Sequence, residues 1–118
     1  MTRAPFVLAL ALAGSLLACV RSGTPWTFTI ENHDTLALDS AKLDVAGTLW
    51  AAGSLAPGRD TAVTVRLVHD EILHLNGLRG GQPFRVVLGG YAAKGPGGAV
   101  RIVITPGGSL DIGSPTAP

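Results

Sequence analysis

The sequence has few of the residues on which most biochemical activities depend. Its 118 residues include one cysteine, three histidines and 5% aromatic side chains. Lys and Arg number 9 against 8 Asp and Glu, and these charges are scattered singly along the chain. Nucleic-acid-binding proteins carry clustered basic residues, often interleaved with aromatics, so the sequence excludes a nucleic-acid partner. A single cysteine also excludes an internal disulfide, and the stability of the fold must come from packing.

The common catalytic motifs are also missing. No Gly-x-Ser-x-Gly sequence places a serine nucleophile, and Ser54 lies in GSLAPG, a predicted turn. Gly90 and Gly95 have the spacing of a phosphate-binding loop, but Pro96 occupies the position where that motif requires lysine. We therefore predict that the protein is not an enzyme.

The three histidines are the only candidates for a metal site. His69 and His74 bracket the segment HDEILH, five residues apart, and His33 could add a third ligand from a distant loop. On a strand, side chains an odd number of residues apart point to opposite faces, so His69 and His74 are not expected to converge. We predict no metal and no cofactor. A small-ligand or metal site in the His69–His74 segment stays the alternative.

The longest apolar segment lies near the N-terminus. Residues 5–18 carry no charge and follow Arg3. A membrane-spanning helix needs roughly 20 apolar residues, so this segment is short for a permanent span. A positive start, a short apolar core and small residues near its end indicate a secretory signal peptide.

The end of this segment, Leu16-Leu17-Ala18-Cys19, resembles the lipobox of bacterial lipoproteins. The resemblance implies that the Cys19 thiol takes a diacylglyceryl group, that signal peptidase II cleaves before it, and that the new N-terminus is acylated. Val20 is not the aspartate associated with inner-membrane retention in enteric bacteria, so an outer-membrane location is favoured. The alternative is a soluble exported protein with a free Cys19.

These features divide the chain into four parts: a signal peptide (1–18), the lipidated cysteine with a short tether (19–25), one domain (26–112) and a disordered tail (113–118). Residues 19–118 suffice for one hydrophobic core. Arg3 leaves with the signal peptide, so 8 basic residues then balance 8 acidic ones.

Within the domain, apolar and polar residues alternate with a period of two, which predicts half-buried strands. The clearest strands are WTFTIE, AKLDV, TAVTVRLV, PFRVVL and AVRIVIT, and weaker candidates lie at 48–52, 72–75 and 109–112. Turn residues separate them, including Asn32-His33-Asp34, Pro57-Gly58, Asn76-Gly77, Gly80-Gly81 and Gly89-Gly90. We predict an all-β fold, a single immunoglobulin-like antiparallel β-sandwich of seven or eight short strands. A small β-barrel is the alternative.

Two segments, LDVAGTLWAAGSLAPGRDTAVTV and GGYAAKGPGGAVRIVI, resemble small sandwich domains of bacterial envelope lipoproteins. The resemblance implies no assigned active site. The lipobox, the short tether, the strand pattern and the missing catalytic motifs together predict a non-catalytic envelope protein that has a structural role or binds a protein or glycan partner near the membrane. Tyr91 and Lys94 form the candidate recognition loop, because loops on a rigid sandwich often carry function. The alternative for Tyr91 is a ring packed on the sandwich edge with its hydroxyl bonded to the backbone. Trp26 and Trp50 are predicted core residues.

Overall fold

β-Strands are the only regular secondary structure in residues 23–113, the part of the chain that the computed structural model describes. The predicted lipidation site Cys19, the signal peptide and residues 114–118 lie outside this part. No helix among the described residues is long and apolar enough to cross a membrane. The eight strands are β1 (Thr24–Asn32), β2 (Leu38–Val45), β3 (Thr48–Leu55), β4 (Asp60–Leu67), β5 (Glu71–Arg79), β6 (Gln82–Tyr91), β7 (Gly98–Ile104) and β8 (Leu110–Gly113).

The strands form two sheets of four that pack face to face. The first sheet has the order β4-β1-β7-β8 and the second has the order β3-β2-β5-β6. The predicted all-β sandwich is confirmed, and the alternative of a closed barrel is wrong because each sheet ends in two free edges. One pairing departs from the antiparallel expectation, since β1 and β7 run parallel, with Trp26 opposite Gly98 and Asn32 opposite Ile104.

The alternation seen in the sequence decides which side chains enter the core. In β1, Phe28 and Ile30 are fully buried between the sheets, while Thr27 and Thr29 lie on the outer face. In β2 a register shift interrupts the alternation, so that Leu38 and Ala41, three residues apart, are both buried. Buried side chains of β1 to β7 form one continuous core, made of Phe28, Ile30, Leu38, Ala41, Leu43, Val45, Leu55, Val65, Leu67, Leu73, Leu75, Leu88, Val100, Ile102 and Ile104. Trp26 and Trp50 are half-buried and pack against this core.

Two hairpins of the second sheet use two-residue turns. Gly80 and Gly81, with φ of 55° and 85°, join β5 to β6, as predicted for a turn in which both residues have positive φ. Ala46 and Gly47, with φ of 51° and 90°, join β2 to β3 in the same way. The Asp44 carboxylate accepts a hydrogen bond of 2.9 Å from the Gly47 N–H and so compensates the strained Ala46.

Two predicted turns lie inside strands instead. Asn76-Gly77 is in the middle of β5, and a Cβ atom on Gly77 would lie 2.9 Å from the Leu38 side chain and 3.0 Å from a carbonyl oxygen of β2. The glycine is therefore required by close approach of two strands and not by a turn. Gly89-Gly90 is in β6, where a register shift opposite Leu73 and His74 marks a bulge.

The chain direction assigns every loop to one end of the sandwich. We call the end at which β1 starts the proximal end, because it is the end nearer in sequence to Cys19. It holds the β2–β3 turn, the β4–β5 connection (68–70) and the β6–β7 connection (92–97). The distal end, at which β1 finishes, holds residues 33–37, 56–59, 80–81 and 105–109.

Candidate functional site

The β6–β7 connection, which contains the candidate recognition loop, is fastened to the start of β1. The Thr24 hydroxyl donates a hydrogen bond to the Ala93 carbonyl, and the Trp26 indole N–H donates one of 2.8 Å to the Ala92 carbonyl. The Ala93 N–H in turn donates to the Asp70 carboxylate at 2.8 Å. Because these bonds come from two sides, the connection is held in one conformation across the proximal end.

Tyr91 packs against this end of the core. Its ring packs edge to face against Trp26 and Phe28, with a centroid distance of 5.1 Å to each ring. Its hydroxyl donates a hydrogen bond of 3.0 Å to the Leu88 carbonyl. Burial raises the pKa of the Tyr91 phenol above its ordinary value. Tyr91 is half-buried and Lys94 is exposed, and their role as a recognition loop stays a prediction.

A shallow depression of about 360 Å³ opens beside Tyr91. It is lined by Asp70, Glu71, Ile72, Gly90, Tyr91 and Ala92. Its main apolar wall is Ile72, which is 60% exposed. The Asp70 carboxylate in the wall is bonded to the Ala93 backbone and so helps to hold the loop.

The most exposed hydrophobic side chains of residues 23–113 lie in the proximal half of the molecule, whereas Leu36, Leu78 and Ile112, at 42%, 40% and 39%, lie in the distal half. Four large hydrophobic residues among the described ones are more than half exposed: Val68 at 70%, Ile72 at 60%, Val87 at 59% and Leu49 at 53%. Val68 lies in the β4–β5 connection, and Ile72 is the second residue of β5. Leu49 and Val87 belong to one row of paired residues across the second sheet, Leu49–Asp44–His74–Val87. This row is one residue away from Val45, the last residue of β2.

The distal end is stabilised differently, by a buried hydrogen-bond network around Asn32. This side chain is 1% exposed, and its amide N–H groups donate to the Leu36 carbonyl at 3.0 Å and the Leu55 carbonyl at 2.9 Å. Its amide oxygen accepts the Asp34 N–H at 2.9 Å. The Asn32 backbone also bonds both Gly58 and Arg59 in the β3–β4 turn. One residue thus joins two distal loops to the end of β1.

Asp34 extends the network to the other two distal loops. Its carboxylate receives two hydrogen bonds from Arg79, of 2.5 and 3.1 Å, and one of 3.3 Å from the Gly107 N–H. It also accepts the Thr35 N–H at 2.8 Å. The Arg79 guanidinium, helped by these backbone donors, lowers the pKa of Asp34 to about 2. The carboxylate is therefore ionised at neutral pH and holds the hairpins β5–β6 and β7–β8 against the β1–β2 loop.

The structure separates the three histidines. His33 lies at the distal end, where its Nε2 contacts the Glu31 carboxylate at 3.1 Å on the outer face of the first sheet. Arg101 donates to the same carboxylate at 2.6 and 2.8 Å and lowers the pKa of Glu31. His69 is in the proximal β4–β5 connection, and His74 is in β5 opposite Asp44. Among residues 23–113, no group of three His, Cys, Asp or Glu residues could hold a metal ion.

Sequence reasoning assigned Asn32-His33-Asp34 only to a turn and missed the network that these residues form. The available sign was the type of residue, because Asn and Asp side chains bond nearby backbone groups. The partner Arg79 lies 45 residues away along the chain. No local pattern indicates such a pairing, since it depends on the order of strands in the sandwich.

The fold is similar to that of a protein from Eubacterium rectale whose structure was determined by NMR. The similarity has a TM-score of 0.52 at 13% sequence identity, and it covers 79% of this chain and 90% of that protein. At this identity the comparison bears on the fold alone. No protein-family model matches the chain, and no curated protein matches its sequence.

Proposed function

We propose that the protein is a lipid-anchored component of the bacterial cell envelope whose β-sandwich is non-catalytic and binds a protein or glycan partner near the membrane. The observation that carries the proposal is the position of the only cysteine. Cys19 follows Leu16-Leu17-Ala18 at the end of an apolar segment, five residues before β1 begins at Thr24. A lipid on this thiol also removes the liability of an unpaired cysteine in an oxidising compartment.

The way polar residues are used supports the non-catalytic part of the proposal. Every buried polar side-chain atom of the described residues has a hydrogen-bond partner. At the distal end, Asn32 and Asp34 bond mainly backbone groups, which belong to three loops and to Leu55 at the end of β3, and the Arg79 side chain bonds Asp34. These side chains hold the loops in place, so the sandwich offers a rigid set of surfaces for binding.

The test is the intact mass of the protein purified from detergent-solubilised membranes of its native host, with Cys19→Ala as the matched control. The expected mass is that of residues 19–118 plus a diacylglyceryl group and an acyl chain. The control is expected to carry no lipid. An unmodified wild-type mass in the soluble fraction contradicts the proposal, because Cys19 is then a free thiol on an exported protein.

A partner is tested next in the same membranes, by chemical cross-linking of the wild-type protein in cells. We expect a stoichiometric envelope protein or a glycan adduct, and Cys19→Ala is expected to reduce its yield because the domain no longer stays near the membrane. Equal yields from the two proteins would mean that the anchor has no part in binding. The absence of any adduct across several growth conditions would contradict the binding role.

A further inference from the structure

The two ends of the sandwich differ in what they present to solvent, and the proximal end is the one nearer in sequence to Cys19. Among residues 23–113, all four large hydrophobic side chains that are more than half exposed belong to the proximal half, and Val68, at 70%, is the most exposed of them. Its neighbour Leu67 is 1% exposed, so the chain turns Leu67 into the core and Val68 out into solvent within two residues.

The tether keeps the proximal end close to the membrane that holds the lipid. Thr24, the first residue of β1, follows Cys19 by five residues, which span at most about 17 Å at roughly 3.4 Å per residue. The nine residues of β1 extend about 30 Å away from that point, at roughly 3.3 Å per residue. The proximal loops therefore lie within reach of a bilayer that holds the lipid on Cys19.

We propose that the proximal end rests in the headgroup layer of the phospholipid bilayer, with Val68 inserted and Ile72 beside it. The inference rests on the proposed lipid anchor and names the surface that this end contacts. A valine at a loop tip loses contact with water when it enters the interface, which favours insertion. Two exposed cations at the same end, Arg66 and Lys94, can reach lipid phosphates with their long side chains.

The net charge of the proximal end does not oppose its contact with a bilayer. The carboxylates of Asp70 and Glu71 are balanced by Arg66 and Lys94, and Asp70 is bonded to the Ala93 backbone. The end therefore carries no net negative charge that anionic phospholipids would repel. This placement turns the loop with Tyr91 and Lys94 toward lipid and leaves the distal end and the outer sheet faces for the protein or glycan partner.

The test uses the lipidated protein, because a lipidated Cys19 has no free thiol and a single introduced cysteine can be labelled selectively. Val68→Cys is labelled with an environment-sensitive fluorophore and reconstituted in vesicles of phosphatidylethanolamine and phosphatidylglycerol. Leu36→Cys is the matched control, because Leu36 is an exposed hydrophobic residue (42%) of a distal loop. We expect a blue shift and quenching by bromolipids for the proximal label, and neither for the distal one.

Intact mass on the same preparation separates the two proposals. A lipidated protein whose proximal label stays in water overturns the membrane contact and leaves the anchor standing. An unmodified mass overturns both. Equal quenching of both labels also contradicts the inference, because the domain would then have no fixed orientation.

Hydrogen exchange checks the result without any label. Amides of 68–70 and 92–97 are expected to exchange more slowly on vesicles than in the unlipidated Cys19→Ala protein, and those of 33–37 are expected to exchange equally. The same protection in concentrated Cys19→Ala protein without lipid would mean that a second copy covers the proximal end, which overturns the inference.

Discussion

The proximal and distal ends of one sandwich close their loops in different ways. At the distal end, four loops meet around Asn32 and Asp34, which bond backbone groups of three of them and the Arg79 side chain just before the fourth. At the proximal end, side chains of Thr24, Trp26 and Asp70 hold a single loop, and hydrophobic residues stay exposed beside it. An end that must be stable in water satisfies its own polar groups, whereas an end that meets a partner can leave apolar surface uncovered.

The difference also separates residues that serve the fold from residues that do not. Asn32 is 1% exposed and Val68 is 70% exposed, so the first contributes to the free energy of unfolding and the second contributes little. Substitutions at the two ends should therefore have unequal effects on stability and on membrane contact. All stability measurements below use the unlipidated Cys19→Ala protein and urea unfolding.

The largest loss is expected for Asn32→Ala. The substitution leaves the carbonyls of Leu36 and Leu55 and the Asp34 N–H without their partner. Each buried unsatisfied group costs about 1–3 kcal/mol, so we expect a total loss of roughly 4 kcal/mol. Thr27→Ala is the control, because its hydroxyl bonds Thr64 on the exposed outer face and its loss should cost well under half as much. Equal losses would contradict the central role of Asn32.

Among the proximal loops, Gly97→Ala should be strongly destabilising. Gly97 has a φ of 76°, and a Cβ atom there would lie 1.8 Å from the Pro25 carbonyl oxygen. Overpacking and the left-handed backbone together are expected to cost about 2–4 kcal/mol. Gly95→Ala, at a φ of 86° with nothing within 4 Å, carries only the backbone cost of about 1 kcal/mol. A Gly97→Ala protein as stable as the Gly95→Ala protein would show that the β6–β7 connection is not fastened to β1.

The distal ion pair should make stability depend on pH. The pKa of Asp34 is 3.8 when unperturbed and about 2 in the fold, so its contribution is fully present above pH 3.8 and is lost as the pH falls toward 2. We expect the difference in urea midpoint between the parent and Asp34→Asn to be constant near neutral pH and to shrink through this acidic range. Asp44→Asn is the control, and its smaller dependence reflects a more solvent-screened pair with Arg85. A difference that did not change with pH would contradict an ionised, paired Asp34.

Much of the fold could be predicted from the sequence, because period-two alternation depends only on which residues face the core. WTFTIE illustrates this, since Phe28 and Ile30 are buried as the pattern indicates. The parallel pairing of β1 with β7 could not be predicted, because it depends on the path of the chain between sheets. Asn76-Gly77 misled the assignment for a related reason. Gly77 is required because β2 approaches it closely, but the same Asn-Gly pair is also typical of a two-residue turn.

The environments of the candidate recognition loop and of Val68 also depend on the fold and not on local sequence. Tyr91 and Lys94 stand out in a glycine-rich loop, yet nothing in the loop sequence says that the ring packs on Trp26 and Phe28. The exposure of Val68 was equally hidden, since TAVTVRLV ends in two consecutive apolar residues. Alternation in β4 indicates that one of the two points outward. The sequence alone does not show that this residue lies at the proximal end, on the side of the predicted lipid anchor.

The smallest effect on stability is expected for Val68→Ser, although the proposed membrane contact depends on this residue. Exposed substitutions of this kind usually change the free energy of unfolding by no more than about 0.5 kcal/mol. Leu67→Ala, one residue earlier and 1% exposed, should cost about 2–5 kcal/mol through the cavity it leaves. In the lipidated protein on vesicles, Val68→Ser should speed hydrogen exchange of 68–70 toward the rate of the unlipidated protein, with exchange at the distal loops unchanged. A large loss of stability would instead make Val68 part of the fold, and its exposure would no longer indicate a contact with lipid.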